Sequence, residues 1–162
     1  MKLSIRPVAP ADVPAMAAIR AEKWETQEYW ETRIEAYLAG RLAARQALPG
    51  FAAFVAVLEG QVVAFAAGHR TARHGCQGEL EWINVACERR GSGIAGKLLA
   101  AMAGWFVEQN ALRVCVDVVP ENTAARTLYA KYGAVDLKPN WMVWEDVRTA
   151  LPGVDASASF GV

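Results

Sequence analysis

A single domain of mixed α/β class, a sheet with helices on both faces, is what the order of apolar periodicities along the chain predicts. Three observations carry that expectation. Segments of period two and segments of helical spacing follow one another as β-α-α-β-β-β-α-β-α-β. No internal repeat or linker divides the 162 residues, a length suited to one domain with a substantial core. A hydrophobic fraction of 54% beside 21% charged residues excludes a disordered chain. The domain is expected over residues 1–150, with 151–162 a flexible C-terminal tail.

Taken in order, Leu3 to Arg6 reads as a strand closed by Pro7. Pro10 suits the first turn of a helix and Asp12 its dipole, with Val13, Met16 and Ile19 at helical spacing. Tyr29, Trp30, Ile34, Tyr37, Leu38 and Leu42 predict a second helix over Glu28–Arg45, ended by Leu48-Pro49-Gly50. Phe51–Leu58 and Gln61–Gly68 form a hairpin about Glu59-Gly60. His69–Gln77, with Arg70, Arg73, His74 and Gly75, reads as a polar loop. Glu79–Val85 is expected as a central strand, and Leu98, Leu99, Met102, Trp105 and Phe106 lie on a helix after a glycine-rich turn. Leu112–Val119 alternates Val114, Val116 and Val118 against Cys115 and Asp117 until Pro120 stops it. Asn122 caps a helix reaching Lys131, Gly133 ends it, and Trp141–Glu145 is the last strand.

The charges exclude several partners. Seventeen basic and seventeen acidic side chains, with no Lys/Arg block, leave no electrostatic support for a nucleic acid. The start lacks an apolar leader, and no apolar run reaches the ~20 residues that span a bilayer, so a soluble, cytoplasmic protein is expected. Cys76, Cys87 and Cys115 lack metal-ligand spacing and suit reduced thiols; no metal site is expected.

The chemistry concentrates at one turn, Arg90-Gly91-Ser92-Gly93-Ile94-Ala95-Gly96-Lys97. Glycines let the backbone approach a ligand, and the open N–H groups at the following helix start make a phosphate site, with Arg90 and Lys97 adding charge. A P-loop would need Ser or Thr after the lysine, where Leu98 stands; a dinucleotide fingerprint would follow an early strand, not a hairpin past mid-chain.

The turn resembles the signature of the GNAT superfamily of acyl-CoA-dependent N-acyltransferases. The pattern [QR]-x-x-G-x-[GA] is met by Arg90, Gly93 and Ala95, and the longer V-x-P-x-x-R-G-x-G-[IV] form by Val85 to Ile94, with Cys87 in place of proline. A second family motif appears as Asn122, Ala125, Tyr129 and Gly133, with Ala134 where Phe is commoner. The resemblance covers roughly residues 2–147 and implies a GNAT-like fold with a mixed, mostly antiparallel sheet. It also implies an N-acetyltransferase, with acetyl-CoA as co-substrate and a small-molecule or protein amine as acceptor. Its pyrophosphate would rest on the amides of Arg90 to Gly96. The strand ending at Val85 would splay from Leu112–Val119 to admit the pantetheine arm, and the Val85 N–H would polarise the thioester carbonyl. The family position for the general acid falls on Tyr129, and Asn122 would contact CoA as well as cap its helix. A homodimer is compatible with the family, and a non-catalytic acyl-CoA-binding regulatory module is the alternative.

A base must unload the acceptor amine. Glu81 and then Glu79, on one face of the strand beside the expected thioester, are the candidates, with His69, His74 or water as alternatives. In the family the first two helices wall the acceptor. Here Glu22, Glu25, Glu28, Glu31 and Glu35 interleave with Trp24, Tyr29 and Trp30, partly offset by Arg20, Lys23 and Arg33, which suggests a cationic acceptor.

Overall fold

A computed structural model describes residues 2–41 and 46–153. Strand β1 (Leu3–Pro7) leads through a 3-10 turn at Pro10–Asp12 into α1 (Val13–Ala21) and α2 (Gln27–Leu38). Three long strands follow, β2 (Ala47–Leu58), β3 (Gln61–Thr71) and β4 (Gly78–Val85). The rest is α3 (Ile94–Glu108), β5 (Val114–Asp117), α4 (Thr123–Lys131), β6 (Val135–Lys138) and β7 (Trp141–Trp144). The strands make one seven-stranded sheet in the order β1-β2-β3-β4-β5-β7-β6, in which β4–β5 is the parallel pair. The expected mixed α/β class and element order stand, with β6 added before the last strand.

Each sheet face carries its own core. On one, Leu98, Met102 and Phe106 of α3 pack on Ala64, Ala66 and Leu80, joined by Tyr129 of α4 and Trp144. On the other, Met16 of α1 and Trp30 and Ile34 of α2 cover Phe65 and Trp82. Helix α3 lies close because Gly78 has no side chain: a Cβ there would stand 2.6 Å from the Phe106 ring. That close approach seats the C-terminal end of α3 against the start of β4.

Local chemistry explains where the elements differ from the sequence expectation. Helix α2 stops at Leu38, not Arg45, because Gly40 takes φ +82°. The Gly40 and Arg41 N–H groups then return to the carbonyls of Tyr37 and Ala36, a closed glycine cap. Leu42 and Arg45 lie outside the described residues. Leu48-Pro49-Gly50 belongs to β2, where it fills a register shift between Ala47 and Phe51. His69, Arg70 and Thr71 are not loop but the end of β3, paired as His69 with Glu79 and Arg70 with Gly78. Leu151 packs against the larger core, and the tail expected beyond it lies, from residue 154, outside the described residues. Among the described residues no helix is long and apolar enough to cross a membrane.

Candidate active site

Strands β4 and β5 pair at Gly78–Val114, Glu79–Cys115 and Leu80–Val116, and then part. Beyond Leu80 the edge of β4 that faces β5 is open. The Ala86 N–H bonds the Val63 carbonyl at 2.8 Å, and antiparallel pairs alternate, so the Val85 N–H points away from β3 into this gap. The Val85 carbonyl accepts from Arg90 Nε at 3.3 Å.

The bulge in β4 is a feature no sequence pattern marked. Trp82 faces Ala67 and Leu80 faces Gly68, which leaves Glu81 without a partner on β3. The extra residue shifts the alternation, so Leu80 and Ile83 both pack toward α3 while Trp82 joins the opposite core.

After Val85, a 3-10 turn at Cys87–Arg89 leads into Gly91 (φ +79°) and Gly93 (φ +81°), and α3 begins at Ile94. None of the amides from Gly91 to Gly96 bonds a backbone group among the described residues; the Lys97 N–H is the first to do so, to the Gly93 carbonyl at 3.3 Å. They crowd the positive end of a 15-residue helix. Gly96 is required at its place, since a Cβ would run into the Tyr132 ring. Glu22 at the end of α1 braces the turn, accepting from the Cys87 N–H at 3.0 Å and lying 3.9 Å from Arg90.

A cleft of about 370 Å³ gathers most of the expected groups: Val85, Arg90, Gly91, Gly93, Ile94, Ala95 and Gly96 on one side, Asn122 and Tyr129 on the other. Ser92 turns its hydroxyl to the Arg89 carbonyl. Lys97 lines this cleft no further and opens on a neighbouring hollow with Lys131 and Thr149. Asn122 Oδ1 accepts from the Ala125 N–H at 3.2 Å and caps α4. Tyr129 is 5% exposed, edge-on to Trp144 at 5.4 Å, and burial pushes its phenol up against the opposing pull of the Arg20 charge. The open amides, the gap and the cleft form one path, and the donor set fits a pyrophosphate followed by an amide-bearing arm.

The two glutamates stand in different surroundings. Glu79 is 4% exposed and its Oε1 is already engaged, 3.2 Å from Arg73 Nε and 3.4 Å from the Thr71 hydroxyl. Glu81 is a quarter exposed at the side chain, and its Oε1 lies 3.9 Å from His69 Nδ1. Burial pushes the Glu81 carboxyl up; Glu79 adds to this, while His69, Arg33 and Arg20 oppose it. His69 is wholly buried on β3, with Nδ1 2.9 Å from the Tyr37 hydroxyl and Nε2 without a hydrogen-bond partner, 3.7 Å from Glu79. His69, Glu79 and Glu81 bring ligand atoms within 4.8 Å of one another, but the Arg73 guanidinium already holds the Glu79 oxygen a cation would use. His74 lies in the 3-10 turn Arg73–Gly75, edge-on to Trp141 at 4.6 Å.

The wall from α1 and α2 presents arginine rather than glutamate. The Arg20 guanidinium lies over Trp30 at 4.2 Å and Trp24 at 4.7 Å and donates to Asn84 Oδ1 at 3.1 Å. Its Nε is buried without a partner, and burial pushes the group down to about 10. Glu25, Glu28 and Glu35 are exposed, and Glu22 is occupied at the turn. Arg20 and Asn84, 64 positions apart, were outside any spacing pattern.

Comparison with known proteins adds the family. A model of the acetyltransferase (GNAT) family matches residues 15–134. No curated protein matches the chain. Among solved structures, an aminoglycoside N-acetyltransferase in complex with CoA is similar at 21% identity and TM-score 0.70, over 85% of this chain and 90% of that one. The PaiA N-acetyltransferase of Thermoplasma acidophilum, in complex with coenzyme A, is similar at 18% identity and TM-score 0.64, over 88% and 97%. A ribosomal-protein-alanine N-acetyltransferase from Brucella melitensis is similar at 24% identity and TM-score 0.64, over 86% and 98%.

Proposed function

The chain belongs to the GNAT acetyltransferase family, and on that premise we propose that it transfers the acetyl group of acetyl-CoA to a primary amine by direct attack. The observation that carries this reading is the row of open amides from Gly91 to Gly96, continuous through one cleft with the β4–β5 gap and Tyr129. The amides hold the pyrophosphate at the helix N-terminus, and the open edge of β4 pairs with the arm. The setting is cytoplasmic, in keeping with three free thiols.

Glu81 takes the proton of the acceptor amine; Glu79 is committed to Arg73 and Thr71 and keeps β3 and β4 in register. The freed nitrogen bonds the thioester carbonyl carbon while the Val85 N–H donates to the oxygen on which charge develops. The carbon–sulfur bond then breaks, and the nitrogen, now bonded to the acyl carbon, gives up its second proton to solvent. Tyr129, protonated at neutral pH because its phenol is pushed up, delivers a proton to the departing sulfur, and solvent relays the proton from Glu81 back to the phenol.

The test is thiol release on mixing purified protein, acetyl-CoA and a broad amine library. Amine-dependent release is expected, and acetyl-CoA binding with no release from any amine would refute transfer. Tyr129→Phe is expected to lower turnover about a hundredfold with acetyl-CoA affinity retained. Equal loss of both would make Tyr129 a packing residue.

A further inference from the structure

Two guanidiniums, Arg20 and Arg33, lie over the Trp30 ring at 4.2 and 5.9 Å, and both act electrostatically on Glu81. Arg20 sits between Trp24 and Trp30, fixed to Asn84 through one nitrogen, with its buried Nε unpaired. Arg33, one turn along α2 from Tyr29, reaches that residue's hydroxyl at 3.3 Å and its ring at 5.7 Å. The two guanidiniums are near enough to repel each other, and among the described residues no carboxylate lies in ion-pair contact with either. Holding like charges together beside a half-buried wall costs free energy that a bound anion would offset.

The acids on this face divide differently. Glu79 is held by Arg73, and Asp117, which also faces Glu79 and Arg73, belongs to the β5 side. Glu81 is therefore the acid that meets the acceptor nitrogen, and Arg20 and Arg33 are the cations beside it. A plain ammonium would find one partner and two repulsions there. A zwitterion would satisfy all three.

Resting on the reading of Glu81 as base, we infer that the acceptor is a primary amine that also carries a carboxylate, bound by Arg20 and Arg33 while its nitrogen faces Glu81. Trp24, 44% exposed, and Tyr29, 40% exposed, offer apolar surface for the remainder of such a molecule. The same cations favour the neutral amine over the ammonium. This reverses the suggestion of a cationic acceptor drawn from Glu25 and Glu28, whose side chains face solvent. The carboxylate belongs either to a free amino acid or to an acidic residue at a peptide N-terminus.

The experiment measures thiol release from acetyl-CoA with matched acceptors: free amino acids against their carboxamides, and peptide amides beginning with Asp or Glu against those beginning with Asn or Gln. The carboxamide amine is the less basic, so reactivity alone favours the neutral member. A preference for the acid of about tenfold or more in kcat/KM is expected in one pair, and that pair names the source. Arg33→Gln is expected to shrink the preference several-fold, and Arg20→Gln further; Arg33 is exposed, so its variant tests the idea even if the buried one misfolds. Equal or better use of the neutral members, by a protein that releases thiol, would overturn the inference and leave transfer intact. If no amine gives release, binding decides: N-acetyl amino acids with CoA should raise the Tm of wild type but not of Arg33→Gln, and no rise from any of them would equally overturn it.

Discussion

The half of the molecule around the glycine turn offers a ligand its backbone, and the half under α1 and α2 offers side chains. In the first, the groups left open are the amides between Gly91 and Gly96 and the Val85 N–H, groups that any non-proline residue has, placed by two glycines at positive φ. In the second they are Glu81, Arg20 and Arg33, whose positions depend on a β-bulge, an aromatic sandwich and a contact across 64 positions. Backbone sites need particular residues at fixed spacing to bend the chain. Side-chain sites need distant elements to meet. One leaves a linear pattern, and the other does not.

The sharpest way to break this division is to separate Glu81 from Glu79. Glu81→Gln should lower kcat/KM about a hundredfold or more, with acetyl-CoA affinity unchanged. Glu79→Gln should act on the fold instead, costing about 1–3 kcal/mol, because it removes the buried negative charge that pairs with Arg73 beside His69, while the amide oxygen can still accept from Thr71. Urea midpoints and steady-state kinetics on both variants decide it. A kinetic loss confined to Glu79→Gln would exchange their roles.

What the sequence made legible follows the same line. The glycine turn, the Asn122 cap and Tyr129 could be located because each answers a local backbone need, and the cleft unites them. The two carboxylates could be named but not ranked. Their difference lies in the bulge at Glu81 and in Arg73 and Thr71, which sit in a segment polar enough to resemble a loop. Thr71 closes β3 because its neighbours pair across to β4, a tertiary cause without a local signal. Strand β6 escaped notice for a related reason: Val135-Asp136-Leu137-Lys138 is four residues at a sheet edge, and its hydrogen bonds to β7 hold it more than any core does. The apolar spacing carried the expected second helix on through Leu42, whereas Gly40 at φ +82° ends it.

A smaller effect tests whether the two halves work independently. Gly93 stands at φ +81° with open space where a Cβ would go, so Gly93→Ala introduces backbone strain of roughly 1–2 kcal/mol and no collision. The turn relieves that strain by opening, which turns amides from the pyrophosphate. The KM for acetyl-CoA should rise several-fold while the ratio of acid to neutral acceptors stays constant. A changed ratio would show that the turn shapes the acceptor side as well, through the Glu22 brace between α1 and Cys87.

The smallest expected effect compares two acids through pH. Asp12 bonds both guanidinium nitrogens of Arg6, at 2.7 and 2.9 Å, and that hydrogen bonding holds its carboxyl below the usual range. Its stabilisation is complete above the ordinary aspartate range and fades as pH falls through the lowered folded value. Glu81 runs the other way. Burial raises its carboxyl, so near neutral pH the folded protein holds a charge that the unfolded chain carries more easily. Below the unfolded value of about 4.3 both states are protonated and no penalty exists; it grows as pH rises to the folded value and is constant beyond. Glu81→Gln should therefore match wild type in Tm at pH 4 and exceed it at pH 8, while Asp12→Asn should lie below wild type at pH 8 and approach it in acid. Calorimetric scans across that range check both signs. A Glu81→Gln variant less stable than wild type at pH 8 would mean that the carboxylate is held by its neighbours as firmly as Asp12, and that the acceptor side is built for stability rather than for proton transfer.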